Sequence, residues 1–422
     1  MTDFYSLYDQ VVKAAVSGHL EDELEKDTPF NADPNSLDCL LNPEKCAPVI
    51  NIGTCRCSDE ERCECEKICF FDAIRLNREG NVEILSDKCI GCGDCIEHCK
   101  YRNLIDRKDI VPLFRNLYRK DPPVYAMIAP AFIGQFSDEV TPGKLRSAFK
   151  RLGFAGMIEV ALFADILTLK EALEFDRHIT TEKDFMLTSC CCPIWIAMIR
   201  KVYSRLIPHM PPSVSPMVAC GRAIKKVRPG AITVFVGPCV AKKAEAREPD
   251  IKDSVDYVMT FEEVKNLFDA AGIDPAKLPE DQKEHSSKAG RIYARTKGVS
   301  TAVKTTLEKL KPDRKIPFTA AYGNGVRECK ALLNDLLEGN VHAGFIEGMG
   351  CVGGCVGGPK AILDKEQGTV NVDGYGDTAL YETPAENPHV IELLHRLGFD
   401  TIDSLLEKEH MFVRNFTEPK GK

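Results

Sequence analysis

The sequence contains no run of basic residues, no long apolar stretch and no low-complexity tract. Its 422 residues include 63 acidic and 55 basic side chains, which give a net charge of -8. Nucleic acids and anionic membranes are therefore poor partners. No segment approaches the roughly 18–20 consecutive apolar residues that a membrane span requires. Residues 1–27 also lack the basic and apolar regions of a leader peptide, so we expect a cytoplasmic protein.

Cysteine is the residue type in excess. The chain has 19 cysteines, and 11 of them lie between residues 39 and 99. The odd count and the pairs that lie two residues apart argue against a disulfide framework. Disulfides are also rare in reducing compartments. We therefore expect reduced thiols that bind metal.

Local patterns divide the chain into four segments. They predict a helical extension over residues 1–50, a cysteine-dense domain over 51–120, a larger α/β domain over 121–370 and a small helical tail over 371–422. Apolar runs predict buried strands at 124–129, 185–188, 232–236 and 343–346, with short elements at 72–76 and 82–85. Helices are predicted at 2–24, 142–152, 161–178, 193–206, 261–271, 299–311, 385–397 and 401–408. The alternation of strands and helices in the larger domain favours parallel-rich sheets with flanking helices.

The second cysteine group of the dense domain has a regular spacing. Cys89, Cys92, Cys95 and Cys99 form C-x2-C-x2-C-x3-C. In this pattern three thiolates wrap one iron–sulfur cubane, and the fourth serves the neighbouring cluster. A zinc site is the alternative, but zinc usually takes two separated pairs of ligands.

The first cysteine group is irregular and ends in a recognisable way. Its members are Cys55, Cys57, Cys63, Cys65 and Cys69. The end of the group resembles a bacterial two-cluster ferredoxin, and this resemblance implies a ferredoxin-like α+β domain with two [4Fe-4S] clusters. It implies that one cluster is held by Cys69, Cys89, Cys92 and Cys95, and the other by Cys99, Cys65, Cys63 and either Cys57 or Cys55. Cys57 is preferred over Cys55.

Two cysteines upstream of these groups, Cys39 and Cys46, show no cluster pattern. We interpret them as surface or packing thiols. Cys220 and Cys329 have no partners in sequence either, and we interpret them as buried structural thiols.

Three further cysteine motifs each follow a predicted strand of the α/β domain. They are Thr-Ser-Cys-Cys-Cys-Pro at 188–193, Gly-Pro-Cys-Val-Ala-Lys at 237–242 and Gly-Met-Gly-Cys-Val-Gly-Gly-Cys at 348–355. Ligands of open α/β sheets gather at the carboxyl ends of strands. One cysteine from each of the first two motifs and two from the third supply the four thiolates of a cubane.

These segments resemble the three signature motifs of the iron-only ([FeFe]) hydrogenases, in the same order. In that family a cubane shares one cysteine with a di-iron unit that carries CO, cyanide and an azadithiolate bridge, together called the H-cluster. The resemblance implies that the cubane is held by Cys192, Cys239, Cys351 and Cys355, with Cys355 bridging to the di-iron unit. It also implies that Cys191 relays protons, that Lys242 contacts a cyanide and that Met349 lies beside the bridging ligand.

The family's proton path has two glutamates on one helix, and Glu171 and Glu174 match them. The serine between those glutamates in the path falls on Pro211, so the route in this chain must differ. The third consecutive cysteine in the first motif, together with Gly237 where the family has methionine, indicates a divergent branch.

The resemblance implies a ferredoxin-linked hydrogenase that interconverts protons plus electrons with H2. Its expected partners are ferredoxin and the maturation proteins that supply the di-iron unit. One alternative is a non-enzymatic iron–sulfur assembly factor of the same superfamily, which keeps the cubane cysteines but loses the di-iron environment. Cys191, Lys242 and Met349 argue against that alternative. A hydrogen sensor is the other alternative, although residues 371–422 are too few for a signalling module.

Overall fold

The structure is a computed structural model that describes residues 3–55, 57, 59–188, 191–283, 285–407 and 411–416, with the backbone alone for 59–63. Its strands are β1 Val49–Asn51, β2 Ile74–Leu76, β3 Val82–Ile84, β4 Leu104–Asp106, β5 Val124–Ile128, β6 Gly156–Glu159, β7 Met186–Leu187, β8 Ile232–Gly237, β9 Tyr257–Thr260, β10 Ala320–Asn324 and β11 Phe345–Met349. Its helices are α1 Phe4–Ser17, α2 Leu20–Leu24, α3 Pro34–Leu41, α4 Asp59–Ile68, α5 Asp94–His98, α6 Ile110–Arg119, α7 Pro142–Arg151, α8 Ala161–His178, α9 Pro193–Lys201, α10 Pro216–Val227, α11 Ala241–Glu245, α12 Phe261–Ala270, α13 Lys288–Arg291, α14 Gly298–Leu310, α15 Val326–Glu338, α16 Lys365–Asp377 and α17 Pro388–Arg396. None of the described helices is long and apolar enough to cross a membrane.

The cysteine-dense part of the chain repeats a strand–helix–strand order. β1 pairs antiparallel with β4, so that Val49 lies opposite Asp106. β2 and β3 form a hairpin between the two helices α4 and α5. The apolar core here is small and is built on Val49, Ile74, Val82 and Leu104, with cysteines packed around it. Such a unit relies on bound metal for much of its stability.

Two parallel sheets form the centre of the α/β domain. One sheet has the strand order β6-β5-β8-β9, and the other has the order β10-β11-β7. Every pairing in both sheets is parallel, which confirms the predicted α/β class. The central strand β5 is buried over most of its length, since helices cover the sheet.

Several elements differ from the prediction. β1, β4, β6, β9 and β10 were not predicted. β6 and β10 each contain a glycine and are only partly buried, so neither has a strong apolar run. β11 spans Phe345–Met349, whereas the predicted strand was 343–346. The strand continues past Ile346 because the buried carboxylate of Glu347 is tolerated there. That carboxylate accepts hydrogen bonds from the N–H groups of Lys297 (2.9 Å) and Ser300 (2.7 Å) at the start of α14.

Four of the predicted helices agree closely with the structure. α8 has the predicted bounds, and α7, α12 and α14 lie within one residue of theirs. The predicted helix 193–206 ends at Lys201 and is followed by a short 3-10 helix at Ser204–His209, which contains Pro208. α3 forms in a stretch for which no helix was predicted; Asp33 caps it and Pro34 occupies its first turn.

The predicted segment boundaries cut through elements of the structure. β1 spans the boundary at 50/51, and α16 spans the boundary at 370/371. The segment 1–50 packs against the rest of the protein. Leu7 and Val11 of α1 are fully buried in the main core, and α1 packs on α6 and α12. The apolar stripe of α1 repeats at helical spacing, so this face is covered by the rest of the protein.

A buried ion network joins the cysteine-dense part to the α/β domain. Lys243 of α11 donates to Asp106 of β4 at 2.8 Å and to Glu263 of α12 at 3.0 Å. Lys108 approaches the same two carboxylates at 2.8 and 3.4 Å. The network connects β4 to the helix that follows the second motif.

Candidate metal centre

The second motif places Cys239 where β8 gives way to α11. β8 ends at Gly237, and α11 begins at Ala241. The Cys239 thiol accepts hydrogen bonds from the backbone N–H groups of Ala241 and Lys242. The turn therefore presents the sulfur at the carboxyl end of the first sheet.

The first motif follows β7 at the corresponding end of the second sheet. Cys192 is the N-cap residue of α9, and its thiol accepts a hydrogen bond from the N–H of Gly350 at 3.2 Å. Trp195 Nε1 donates to the carbonyl of Thr188 at 3.0 Å and closes the loop between strand and helix. Ser189 and Cys190 lie outside the described residues.

The third motif turns tightly after β11. Gly354 has a φ of +85°, and a Cβ there would lie 2.8 Å from the carbonyl carbon of Arg295. Gly348 allows β11 to approach α9, because a Cβ would lie 2.0 Å from the ring of Trp195. The glycines therefore fix the path that brings Cys351 and Cys355 toward Cys192.

Four thiols from the three motifs converge between the two sheets. The electrostatic neighbours of Cys351 include Cys239, Cys192 and Cys355, and those of Cys355 include Cys239 and Cys192. Burial raises the pKa of each of the four thiols, and for Cys192 to about 12. A buried thiol is stable in its protonated form, whereas a buried thiolate needs a cationic partner. A coordinated metal ion is such a partner, and it deprotonates the thiol outright. The donor set therefore fits an iron–sulfur group.

Cys191 and Lys242 lie beside these thiols. Lys242 Nζ donates to the carbonyl of Cys191 at 3.1 Å and to Glu245 Oε2 at 2.6 Å. Burial acts to lower the pKa of Lys242, but Glu245 and the nearby thiols of Cys239 and Cys355 outweigh it and raise the pKa. Lys242 therefore stays a buried cation next to the cysteines.

Met349 occupies the end of β11. Its side chain is buried, and its carbonyl accepts hydrogen bonds from Gly325 N–H at 2.7 Å and from the Cys329 thiol at 3.4 Å. Cys329 is fully buried behind Cys192, one of its electrostatic neighbours. The thiol interpreted as structural thus lies next to the convergent cysteines, at a position that no local motif indicates.

Glu171 and Glu174 are both buried in α8, and Glu174 belongs to a hydrogen-bonded chain. Lys170 Nζ donates to Glu174 Oε1 at 3.0 Å and to Ser213 Oγ at 2.9 Å. On the other side, His178 Nε2 lies 2.9 Å from Glu174 Oε2, and the His178 side chain is 57% exposed. Sequence reasoning missed Lys170, Ser213 and His178, although the hydroxyl of Ser213 lies only two residues beyond Pro211.

The N-terminal cysteines form two groups. Cys69, Cys89, Cys92 and Cys95 are mutual electrostatic neighbours, and Cys65 has Cys57, Cys99 and Cys55 around it. Backbone N–H groups point at both sets, from Ala73 to the Cys69 sulfur and from Asn103 to the Cys99 sulfur, each at 3.2 Å. Cys63 is in α4, but its side chain lies outside the described residues. The structure thus places Cys55 and Cys57 together in the second set.

The first of these groups adjoins the convergent thiols. A Cβ on Gly93 would lie 2.9 Å from Pro359, and one on Gly91 would lie 3.1 Å from the carbonyl of Val240, next to Cys239. Asp94 is also an electrostatic neighbour of Cys351. The three cysteine sets therefore follow one another through the molecule. Among the described residues, no group of three or more His, Cys, Asp or Glu side chains is arranged to hold a single metal ion.

The fold and the converging thiols define an α/β protein with a cysteine-lined centre between two parallel sheets. Residues 122–359 match the family described as iron only hydrogenase large subunit, C-terminal domain. The chain belongs to this family, which confirms the resemblance inferred from the motifs.

Individual relatives agree with the family and span two kinds of protein. The chain is 30% identical to the periplasmic [Fe] hydrogenase large subunit of Nitratidesulfovibrio vulgaris over 57% of this chain and 68% of that protein. It is 23% identical to a cytosolic Fe-S cluster assembly factor of Xenopus tropicalis over 76% of this chain and 82% of that protein. The chain spans 52% to 68% of the length of the curated hydrogenases it matches.

Solved structures share the fold. A variant of the [FeFe]-hydrogenase HydA1 from Chlamydomonas reinhardtii aligns with a TM-score of 0.57 at 22% identity, over 72% of this chain and 99% of that chain. The modest identities are consistent with a divergent branch of the family.

Proposed function

We propose that this chain is an [FeFe]-hydrogenase that interconverts protons plus electrons with H2. The observation that carries the proposal is the meeting of Cys192, Cys239, Cys351 and Cys355, from three distant motifs, with Cys191 and Lys242 beside them. These four thiols would hold the cubane of an H-cluster, and Cys355 would also bridge to its di-iron unit. When bound, this group supplies the open metal position and the base at which H2 is split or formed.

The residues around the thiols perform the supporting chemistry. Lys242 is a buried cation, and in a dry pocket its charge acts strongly on an anionic ligand such as a cyanide. Glu245 holds its ammonium at 2.6 Å and so fixes its position. Cys191 lies beside Cys355 and is the thiol that would exchange a proton with the reacting centre. Met349 would contact the bridging ligand.

We assign the outer proton route to α8. His178 at the surface contacts Glu174, and Lys170 joins Glu174 to Ser213. Glu171 is buried one turn before Glu174 and would connect this chain to Cys191. The hydroxyl of Ser213 takes the place that Pro211 cannot fill, because proline has no hydroxyl.

Electrons would reach the centre through a ferredoxin-like domain with two [4Fe-4S] clusters. Cys69, Cys89, Cys92 and Cys95 would hold the inner cluster, which adjoins the centre. The outer cluster would be held by Cys63, Cys65, Cys99 and Cys57, with Cys55 as the alternative to Cys57. Ferredoxin remains the expected electron partner, and maturation proteins are expected to supply the di-iron unit.

An infrared spectrum of the protein produced together with the maturation proteins tests the proposal. We expect bands from bound CO and cyanide and, in the same preparation, H2 evolution from a reduced electron donor. Cys355→Ala should abolish both. Cys220→Ala is the matched control, because this buried thiol has no cysteine among its electrostatic neighbours. Protein that contains cubane iron but gives no such bands after maturation would refute the hydrogenase assignment.

An iron–sulfur assembly factor is the second candidate. One observation favours it: the chain covers 82% of the length of the Xenopus assembly factor, against 68% of the Nitratidesulfovibrio hydrogenase large subunit. A purified protein that lacks the CO and cyanide bands but passes [4Fe-4S] clusters to an apo-ferredoxin would support this function. Unchanged iron content in the acceptor would exclude it.

A further inference from the structure

Cys39 and Cys46 form a thiol pair outside all three cysteine sets of the candidate metal centre. Cys39 lies in the last turn of α3, and Cys46 follows the 3-10 turn Pro43–Lys45 that reverses the chain. The two thiols are hydrogen-bonded to each other. Both residues are partly exposed, so the pair is within reach of small molecules.

Two arginines lie close to Cys46, and both also pair with Asp109. Arg107 donates to the carbonyl of Cys46 at 3.2 Å, and Arg247 donates to the carbonyl of Pro43 at 2.9 Å. The hydrogen bond from Cys39 lowers the pKa of Cys46 to about 7, and the guanidinium groups act in the same direction. Burial acts in the opposite direction but is outweighed. The same hydrogen bond raises the pKa of Cys39. The pair is therefore asymmetric: Cys46 is the thiol that loses its proton more easily.

Cys46 opens onto a cleft of about 920 Å³, a size typical of small-molecule sites. Five basic side chains line it (Lys45, Arg107, Arg200, Lys201 and Arg247), against the three acidic ones of Glu44, Asp87 and Glu248. Cys89, assigned above to the inner cluster, lines the same cleft. The N–H of Val49 donates to the Cys89 thiol. Cys46 lies three residues before Val49, so the Cα atoms of these two residues are at most about 11 Å apart.

We propose that Cys46 and Cys39 are a thiol–disulfide exchange site for a small anionic disulfide that binds in this cleft. The Cys46 thiolate attacks one sulfur of the substrate, which breaks the S–S bond and releases one thiol. Cys39 then attacks the Cys46 sulfur of the mixed disulfide and releases the second thiol. In sum, two protein thiols and one disulfide become one protein disulfide and two thiols; the protein loses two electrons and two protons, and the substrate gains them. This site does not depend on the hydrogenase assignment.

The test uses the full-length, cluster-loaded protein under anaerobic conditions, with oxidised glutathione as the probe. Peptide mass spectrometry should show a Cys39–Cys46 disulfide in the wild type. Cys39→Ser should instead trap a glutathione adduct on Cys46, and Cys46→Ser should leave Cys39 unmodified. With iodoacetamide at pH 7, Cys46 should be alkylated about tenfold faster than a thiol of ordinary pKa.

Iron content and circular dichroism spectra that match the wild type show that each variant is folded. If a variant loses iron, the proposal is tested by the alkylation rates of Cys39 and Cys46 in the wild-type protein alone. Modification of Cys39 in Cys46→Ser, equal alkylation rates of the two thiols, or no adduct on Cys46 in folded Cys39→Ser would overturn the proposal.

Discussion

The substitution Lys243→Met tests the buried network between the cysteine-dense part and the α/β domain. The Lys243 side chain is 0% exposed, and its ammonium donates to Asp106 at 2.8 Å, to Glu263 at 3.0 Å and to the carbonyl of Arg107. Methionine keeps most of the length and the apolar stem but removes the charge. Asp106 and Glu263 then lose one of the two cations that they share.

The size of the effect follows from which cations remain. Removing one partner of a buried ion pair typically costs about 3–5 kcal/mol, because the other charge stays buried and uncompensated. Lys108 still contacts both carboxylates, and Lys360 lies 3.6 Å from Asp106. We therefore expect the lower end of the range, about 3 kcal/mol. With an m-value of about 3 kcal/mol/M, the urea midpoint falls by about 1 M.

The assay is urea unfolding of the cluster-loaded protein under anaerobic conditions, followed by far-UV circular dichroism. Lys265→Met on α12 is the matched control. Its partner is Asp269 at 2.8 Å, and 47% of the Lys265 side chain is exposed, so its loss should cost less than about 1 kcal/mol. Equal midpoints for the two variants would show that the buried network contributes no more than a surface pair, and the reasoning would fail.

Four further results are expected. Glu174→Gln should lower the H2 turnover of the matured protein by about a hundredfold, because a general acid–base group contributes about that much to the rate. The infrared bands should stay unchanged. Unchanged turnover would remove Glu174 from the proton route. Lys242→Met should shift the cyanide bands in the infrared spectrum, and His178→Gln, at the outer end of the route, should leave those bands in place. Burial raises the pKa of Asp165 to about 7, against the opposing effect of the hydrogen bonds from Ser287 and Gly290. Between about pH 4 and 7 the folded state therefore binds more protons than the unfolded state, so the free energy of unfolding falls as the pH rises through that window. Asp165→Asn should flatten this decline, measured as the urea midpoint. Removal of iron with a chelator should make residues 49–106 sensitive to proteolysis before 122–359, because the apolar core of the first range is small, and simultaneous cleavage of both ranges would contradict this.

Much of the fold could be predicted because its signals are local. α8 and α12 carry continuous helical patterns, and α12 begins at a capping box formed by Thr260 and Glu263. The parallel class followed from buried apolar runs that alternate with helices. Among the strands that were missed, β6 and β10 depend on pairing with β5 and β11 and not on their own composition.

The candidate site divides in the same way. The cysteines of the three motifs and Lys242 were visible because residue type and short spacing mark them. Lys170, Ser213 and His178 were not, because two of them resemble ordinary helix-surface residues and the third lies 43 residues from the lysine it contacts. The pairing of Cys39 with Cys46 was also missed, since only the turn at Pro43–Lys45 brings the two thiols together.

The sequence by itself therefore determined the family, the ligand types and the order of the main elements, because each depends on residues close together in the chain. Only the tertiary structure showed which thiols lie close together, which carboxylates Lys243 neutralises and that the Ser213 hydroxyl contacts Lys170. These relations depend on distances between residues far apart in sequence. Such distances are set by how the two sheets and the helices between them pack.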